Sequence, residues 1–414
     1  MLPDGAVPVA TPRPAVYDED YVESRHRIGL DMPDTHAVKE PTLNDIKQEV
    51  LRRSSKRLQP FNHVHQEDVE KIVASLASLD RDHWAGLWSE VGLRYEKQGD
   101  ELEKAGEGKK AGEAFYLAYD YCRIGRYPCP STTGKRQAYQ HSLRMFRKAA
   151  KYFDVALEVV ELPFKDRKLV GYLQIPRGVN NAPVVIHWGG VDGYKEDRQR
   201  PNAMLHPMGI ATLVIDMPGT GENPVLYLDP DAERTYSTWL DYLATRKDLD
   251  GSRVGVWGGS FGGYWAARLA HTEAKRLKAA VFHGGNVHHG FQEKWLVPAF
   301  TRGAATYLFG PGSMLEARGQ AVGIKTMDEF IKAVGKLSLV DMGLIDKPSA
   351  PILCVNGKLD DQAPIDDVYL LMEHGDPKSA RIYPKGSHMG RTPGMPEDEI
   401  AKTITGWLRS RLVP

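Results

Sequence analysis

Arg253-Val254-Gly255-Val256-Trp257-Gly258-Gly259-Ser260-Phe261-Gly262-Gly263-Tyr264-Trp265-Ala266-Ala267-Arg268-Leu269-Ala270 is the stretch whose reading decides the fold. It opens with a short apolar run that reads as a buried strand, passes through a glycine-rich turn, and continues into good helix formers. Ser260 lies at the turn in the pattern Gly-x-Ser-x-Gly, between Gly258 and Gly262. A nucleophile at the tip of a sharp strand-to-helix turn needs neighbours without side chains, because the backbone there is crowded and partly at positive φ. A helix starting at Ser260 would also turn its unpaired N–H groups towards developing negative charge. The competing reading, a glycine turn with a chance serine, is weakened by the strand and helix on either side.

Outward from this stretch the chain alternates between two periods. Leu157, Val159, Leu162 and Phe164 alternate with polar residues, and after a Lys165-Asp166-Arg167 turn Leu169, Gly171, Leu173 and Ile175 alternate again, which predicts an antiparallel hairpin. Apolar runs at 183–188, 211–216, 279–283, 351–355 and 381–383 read as further strands. Helical segments are expected near 197–208, over 238–246 and over 397–412. Alternation of this kind builds an α/β fold, a mostly parallel sheet with helices on both faces. Residues 155–414 form the expected catalytic domain.

A serine hydroxyl needs a base to accept its proton and a carboxylate to orient that base. Two late strands end in loops that supply both. The first loop is Asn356-Gly357-Lys358-Leu359-Asp360-Asp361 and the second is Pro384-Lys385-Gly386-Ser387-His388-Met389-Gly390. His388 is the candidate base and Asp360 the candidate acid, with Asp361 as the alternative. Three residues in the order serine, acid, histidine, each at the carboxyl end of a strand, outweigh the reading of His388 as one surface histidine among 14. Two N–H donors must receive the oxyanion. Phe261 follows the nucleophile directly. The second donor is expected in His187-Trp188-Gly189-Gly190-Val191-Asp192-Gly193, at Val191, with Gly190 as the alternative.

Trp188, His288, Glu293 and Trp295 are candidates for the substrate pocket. His283, His288 and His289 with Glu293 could suggest a metal site, but no second cluster completes one, and neither metal nor cofactor is expected. Asp216-Met217-Pro218-Gly219-Thr220-Gly221-Glu222 lacks the lysine and spacing of a phosphate loop and reads as a structural turn.

The 414 residues leave room for two or three domains. Residues 1–40 are Pro-rich and read as an extended arm. Residues 41–154 carry apolar stripes at helical spacing: Ile46 and Val50; Val69, Ile72, Val73 and Leu76; Trp84, Leu87, Trp88 and Val91; Ala111, Ala114 and Phe115; Tyr139, Leu143 and Phe146. They are expected to form a helical lid or cap; plain packing or an interaction scaffold is the alternative. Residues 286–342 break the strand–helix rhythm and are expected to shape the pocket with Phe291, Trp295, Phe300, Tyr307, Phe309 and Phe330. With 54 basic and 54 acidic residues, no net field draws nucleic acid or an anionic membrane. No run approaches the roughly 20 apolar residues that span a bilayer. Three scattered cysteines, Cys122, Cys129 and Cys354, fit reduced, structural thiols in the cytoplasm.

With these residues in place, the chain resembles the α/β-hydrolases grouped around 2,6-dihydroxypseudooxynicotine hydrolase, the fermentation-respiration switch protein and the fungal heptaketide-shortening hydrolases. The helical region with Trp84 and Trp88, Gly171-Tyr172-Leu173, Gly189-Gly190 followed by Lys195-Glu196, Asp216-x-Pro218-Gly219-x-Gly221, the Ser260 motif and the Asp360 and His388 loops carry the resemblance, over about residues 65–414. It implies a homodimeric serine hydrolase of small-molecule substrates that cleaves esters, or carbon–carbon bonds next to a ketone. Some relatives transfer acyl groups instead. The Pro-rich start departs from the pattern. A medium-sized, partly aromatic ester or ketone is the expected substrate; an acyltransferase and a non-enzymatic interaction protein are the rivals.

Overall fold

The eight strands of the sheet are β1 (Leu157–Phe164), β2 (Arg167–Gln174), β3 (Ala182–Trp188), β4 (Ala211–Ile215), β5 (Leu249–Gly259), β6 (Leu277–His283), β7 (Ile352–Gly357) and β8 (Ser379–Tyr383). They lie in the order β1-β2-β4-β3-β5-β6-β7-β8. The computed structural model describes residues 41–303, 307–374 and 378–413; the expected arm at 1–40 lies outside the described residues. The first two strands are the hairpin read from the period-two pattern, with Leu157 opposite Gln174 and Phe164 opposite Arg167. β2 joins β4 antiparallel, and every later pair from β4 to β8 is parallel.

The central strands are buried on both faces, so they read as continuous apolar runs and not as alternations. Alternate residues serve opposite layers. Val184, Ile186, Val256 and Ala280 pack with Trp239, Leu243, Trp265 and Leu269 of α7 (Ala232–Thr245) and α8 (Gly263–Thr272). Val185, Trp257, Val281 and Leu353 pack with Ile404, Leu408 and Leu412 of α13 (Glu399–Leu412). Winding proceeds from β3 outward to β4 and then returns to β5 beside β3. The loops leaving β3 and β5 therefore diverge at neighbouring carboxyl ends and leave a crevice, the place where open α/β sheets bind ligands.

Among the described residues five helices precede the sheet: α1 (Leu43–Ser55), α2 (Gln66–Ser75), α3 (Arg81–Lys104), α4 (Gly108–Gly125) and α5 (Thr133–Ala150). Thr42 starts the first with a capping box, its hydroxyl accepting from the Asp45 amide at 3.2 Å and its own amide donating to the Asp45 carboxylate at 2.9 Å. The stripes read from sequence meet in a core that holds Ile46, Val50, Val69, Ile72, Trp84, Trp88 and Tyr121. Leu308 and Phe309 belong to that same core, and Phe309 packs edge-on against Trp84 with ring centroids 4.8 Å apart. This corrects the expectation for Phe309, which is a tie between the 286–342 segment and the helical layer.

That segment contains α9 (Glu293–Gly303), α10 (Pro311–Val322) and α11 (Met327–Val334). Its entry is anchored by Asp367, at the start of α12 (Ile365–Glu373). The fully buried Asp367 carboxylate accepts four backbone N–H bonds of 2.7–3.1 Å, from Val287, His288, His289 and Gly290. Burial pushes this carboxyl up to about 6, against the pull of those four donors.

A buried ion network fastens the helical layer to the stretch after β3, which includes the short helix α6 (Gln199–Ala203). Asp197 receives the Tyr119 hydroxyl at 2.6 Å and the Tyr194 amide at 2.8 Å, and pairs with Arg126 at 3.0 Å and Arg123 at 3.2 Å. Arg126 also donates to the Asp192 carbonyl at 3.0 Å, and Arg200 pairs with Asp120 at 2.6 Å. Burial alone would raise the Asp197 carboxyl, but the Arg123, Arg126 and Arg198 guanidiniums hold it at about 2. An unfolded aspartate binds its proton near pH 4, so this group's contribution is complete above that pH and is lost as pH falls through 2. Replacing Asp197 by Asn strands buried guanidiniums and should cost about 3–5 kcal/mol at neutral pH. Urea unfolding of both proteins should show the gap narrowing below about pH 4; a gap independent of pH would count against this role.

Candidate active site

Strand β5 ends at Gly259, and the next residue turns into the left-handed region: Ser260 has φ +55. A side chain in that region costs roughly 1–3 kcal/mol, and the turn is held by specific contacts. A Cβ on Gly262 would lie 2.1 Å from the Gly189 carbonyl oxygen, so no side chain fits there. The Trp188 indole donates to the Gly262 carbonyl at 2.8 Å, and the Tyr227 hydroxyl donates to the Phe261 carbonyl at 2.8 Å. Tyr227 also stacks on Phe261 at 4.2 Å between ring centroids.

The turn directs Ser260 Oγ at His388 Nε2, 2.8 Å away, and His388 Nδ1 meets Asp360 Oδ2, also at 2.8 Å. The other Asp360 oxygen accepts the Gln362 and Ala363 amides at 2.8 and 3.0 Å. Burial would raise the Asp360 carboxyl, but His388 and those amides bring it below the usual carboxylate value. Asp360 is thus the carboxylate on the imidazole, and Asp361 is not. An ionised Asp360 fixes Nδ1 as the protonated nitrogen and leaves Nε2 free to take the serine proton.

Two buried residues to which the sequence reading gave no such role, Asn356 and His283, hold the histidine loop. Asn356, at the end of β7, accepts the Met389 amide at 3.1 Å and donates to the Ala363 carbonyl at 3.1 Å, joining the histidine loop to the acid loop. His283, at the end of β6, meets the Met389 carbonyl through Nε2 at 2.9 Å and accepts the Trp257 indole N–H at 3.4 Å. Burial drives this imidazole down to about 3, so it is neutral and its Nε2–H is the donor. Met389 itself takes φ +63, which turns the chain sharply just after His388.

On the other side of the serine, a Cβ on Gly190 would lie 2.8 Å from Ser260 Cβ and 3.2 Å from Oγ. The bare backbone of this loop therefore runs against the hydroxyl, with the buried Val191 next in line. Lys195 pins the loop's far end: its amide and ammonium both reach Asp216, at 2.9 and 2.8 Å, and the ammonium also pairs with Glu196 at 2.9 Å and Glu222 at 2.7 Å. Asp216 in turn accepts the Glu222 amide at 2.9 Å, so the glycine-rich turn 216–222 is a structural clamp.

The pocket candidates have these surroundings. Trp188 is fully buried beneath the turn it supports, which corrects its reading as a pocket wall. Glu293 is exposed in the first turn of α9. His288 Nδ1 engages the Ser338 hydroxyl at 2.7 Å, and Trp295 lies half-buried on α9. Among the described residues no group of three or more His, Cys, Asp or Glu is arranged to hold a metal ion. No helix of the described residues is long and apolar enough to cross a membrane.

The strand order with its single hairpin edge, the strained serine turn and the serine–histidine–aspartate chain define the α/β-hydrolase class. The profile described as FrsA-like, "Esterase FrsA-like", matches residues 55–372, and the chain belongs to that family. A protein named Esterase FrsA from Vibrio cholerae serotype O1 is 29% identical over 256 residues, covering 58% of this chain and 61% of that one. Its namesake from Yersinia pestis is 31% identical over 223 residues, 53% of each chain. The match thus spans between half and two thirds of these curated relatives. Among solved structures, 2,6-dihydroxy-pseudo-oxynicotine hydrolase superposes with a TM-score of 0.68 at 22% identity, over 80% of this chain and 89% of that one. The structure titled AbyA5 Wildtype gives 0.61 at 21%, over 85% and 90%. These two show the shared fold.

Asn356→Ala leaves the Met389 amide and the Ala363 carbonyl without their partner while touching no reacting atom. Ester turnover should drop on the order of 10- to 100-fold in kcat with KM nearly unchanged, because the imidazole is less well aimed. A variant with wild-type kcat would remove Asn356 from this role.

Proposed function

We propose that the protein is a serine hydrolase in which Ser260 is the nucleophile, His388 the general base and acid, and Asp360 the group that orients the imidazole. The observation that carries this reading is the pair of 2.8 Å contacts from Ser260 Oγ through His388 to Asp360. Ser260 Oγ attacks a carbonyl carbon while Nε2 takes its proton. The oxyanion is received by the Phe261 and Val191 amides. The tetrahedral intermediate collapses, Nε2 returns the proton to the leaving group, and an acyl-enzyme remains. Water then attacks the acyl carbon, again losing its proton to Nε2, and the acid departs as Ser260 recovers its hydrogen.

The names of the relatives support ester cleavage, and the aromatic side chains of the 286–342 segment support a medium-sized, partly aromatic ester or ketone. Residues 41–154 act as a fixed roof over the catalytic domain 155–414; the buried pairs at Asp197 argue against a hinged lid. The resemblance further supports a homodimer, and three buried free thiols fit a cytoplasmic protein.

A fluorophosphonate probe should label Ser260 and fail to label Ser260→Ala, whose ester turnover should fall on the order of a millionfold in kcat. Labelling elsewhere, or undiminished turnover in the variant, would defeat the proposal. Product analysis with and without an added alcohol separates hydrolysis, in which free acid dominates, from acyl transfer.

A further inference from the structure

Tyr227 joins three parts of the protein that meet behind the nucleophile. It is fully buried, and its ring stacks on Phe261 with centroids 4.2 Å apart and planes inclined by 21°. Its hydroxyl donates to the Phe261 carbonyl at 2.8 Å. Its amide donates at 2.9 Å to the carbonyl of Ala321, near the end of α10 in the 286–342 segment. The turn 216–222 presses on the same carbonyl: a Cβ on Gly219, at φ +83, would lie 2.1 Å from the Ala321 oxygen. Trp265 of α8 lies edge-on to the Tyr227 ring, with centroids 5.4 Å apart. The tyrosine is therefore fixed at its backbone by α10 and at its ring by α8, and its hydroxyl meets Phe261.

A phenylalanine at this place would fill nearly the same space, and a buried hydroxyl with one acceptor adds little net stability. What the hydroxyl adds is direction. The amide and the carbonyl of Phe261 are separated by a single Cα, and the amide is the group that receives the oxyanion. Clamping the carbonyl at one point and the ring at another restrains the backbone torsions of that residue, so its N–H keeps the aim that the tetrahedral intermediate needs. Burial raises the Tyr227 phenol well above its usual value, so it stays protonated and remains a donor near neutral pH. We infer that Tyr227 is a positioning residue for the oxyanion donor: it touches no reacting atom and acts on the reaction by fixing Phe261 against α8 and α10. This rests on the serine-hydrolase reading, in which the Phe261 amide is a donor, and adds the residue that aims it.

The test is Tyr227→Phe, which removes one oxygen and keeps the stack, read with p-nitrophenyl hexanoate and two inhibitors. Pentyl trifluoromethyl ketone takes the Ser260 oxygen onto its carbonyl carbon, while the serine proton passes to His388 and the carbonyl electrons settle on an oxyanion. Hexanoate, the product acid, forms no such bond. In the variant, kcat should fall about 10-fold with KM within about twofold of wild type, the ketone should bind about 10-fold more weakly, and hexanoate should bind as before. The pH profile of kcat should keep its shape, because Tyr227 carries no proton to or from the reaction; a changed shape would overturn the positioning role. Trp265→Phe, a change in the same packing layer that leaves the Phe261 carbonyl clamped, should keep the wild-type ratio of ketone to hexanoate affinity. A folded Tyr227→Phe with that ratio unchanged, or an equal shift in Trp265→Phe, would overturn the inference while ester turnover kept the hydrolase reading intact. If Tyr227→Phe does not fold, Phe261→Leu removes the stacked ring and no backbone group. It should lower kcat and ketone affinity together by about 3-fold, and a ketone affinity equal to wild type would overturn the inference. No ester turnover and no ketone inhibition in the wild type would overturn both readings.

Discussion

A single backbone torsion constrains this structure more than any other feature. Ser260 must sit at positive φ to lift its hydroxyl off the end of β5, and L-residues resist that conformation. The surroundings over-determine it. Gly262 permits the close pass of the loop after β3, Trp188 and Tyr227 hold the carbonyls of the two residues that follow the serine, and the helix α8 continues the turn. Because β3 and β5 are neighbours whose chains leave in opposite directions, the space in front of the hydroxyl stays open.

The other two members of the site are held by the same logic at a longer range. A histidine on a loop 128 positions away is useful only if that loop has one conformation, and backbone bonds supply this. Asn356 ties the Met389 amide to the acid loop, His283 ties the Met389 carbonyl to β6, and Asp360 spends one oxygen on its own loop before offering the other to the imidazole. Above the sheet, the helical layer is joined by charges with little access to water. Asp197 and its arginines connect it to the stretch after β3, and Phe309 connects it to the segment beyond β6. Parting this layer from the stretch after β3 would expose buried ions singly, at a cost of several kcal/mol each.

Much of this was legible in the chain before any coordinates. The hairpin showed itself through alternation, the parallel strands through uninterrupted apolar runs, and the serine, acid and histidine through their shared place at strand ends. Those signals are local, since each depends on a residue and its near neighbours. What escaped notice depends on partners distant in sequence and silent in composition. Asp367 is one acidic residue in a helix start, and its four partners are backbone amides that any residue could provide. Asn356 is equally silent in the sequence, because its bonds also go to main chain. Trp188 and Phe309 read as pocket aromatics in the sequence, but an aromatic side chain does not announce which of several apolar surfaces it will join.

The most direct measurement is to quench the enzyme during turnover of a p-nitrophenyl ester and map the acyl group by peptide mass spectrometry. An acyl group on Ser260, accumulating further when His388→Ala slows its release by water, is the predicted result. Ester turnover with the acyl group on another side chain, or with none at any residue even when release is slowed, would contradict a site built around that strained serine.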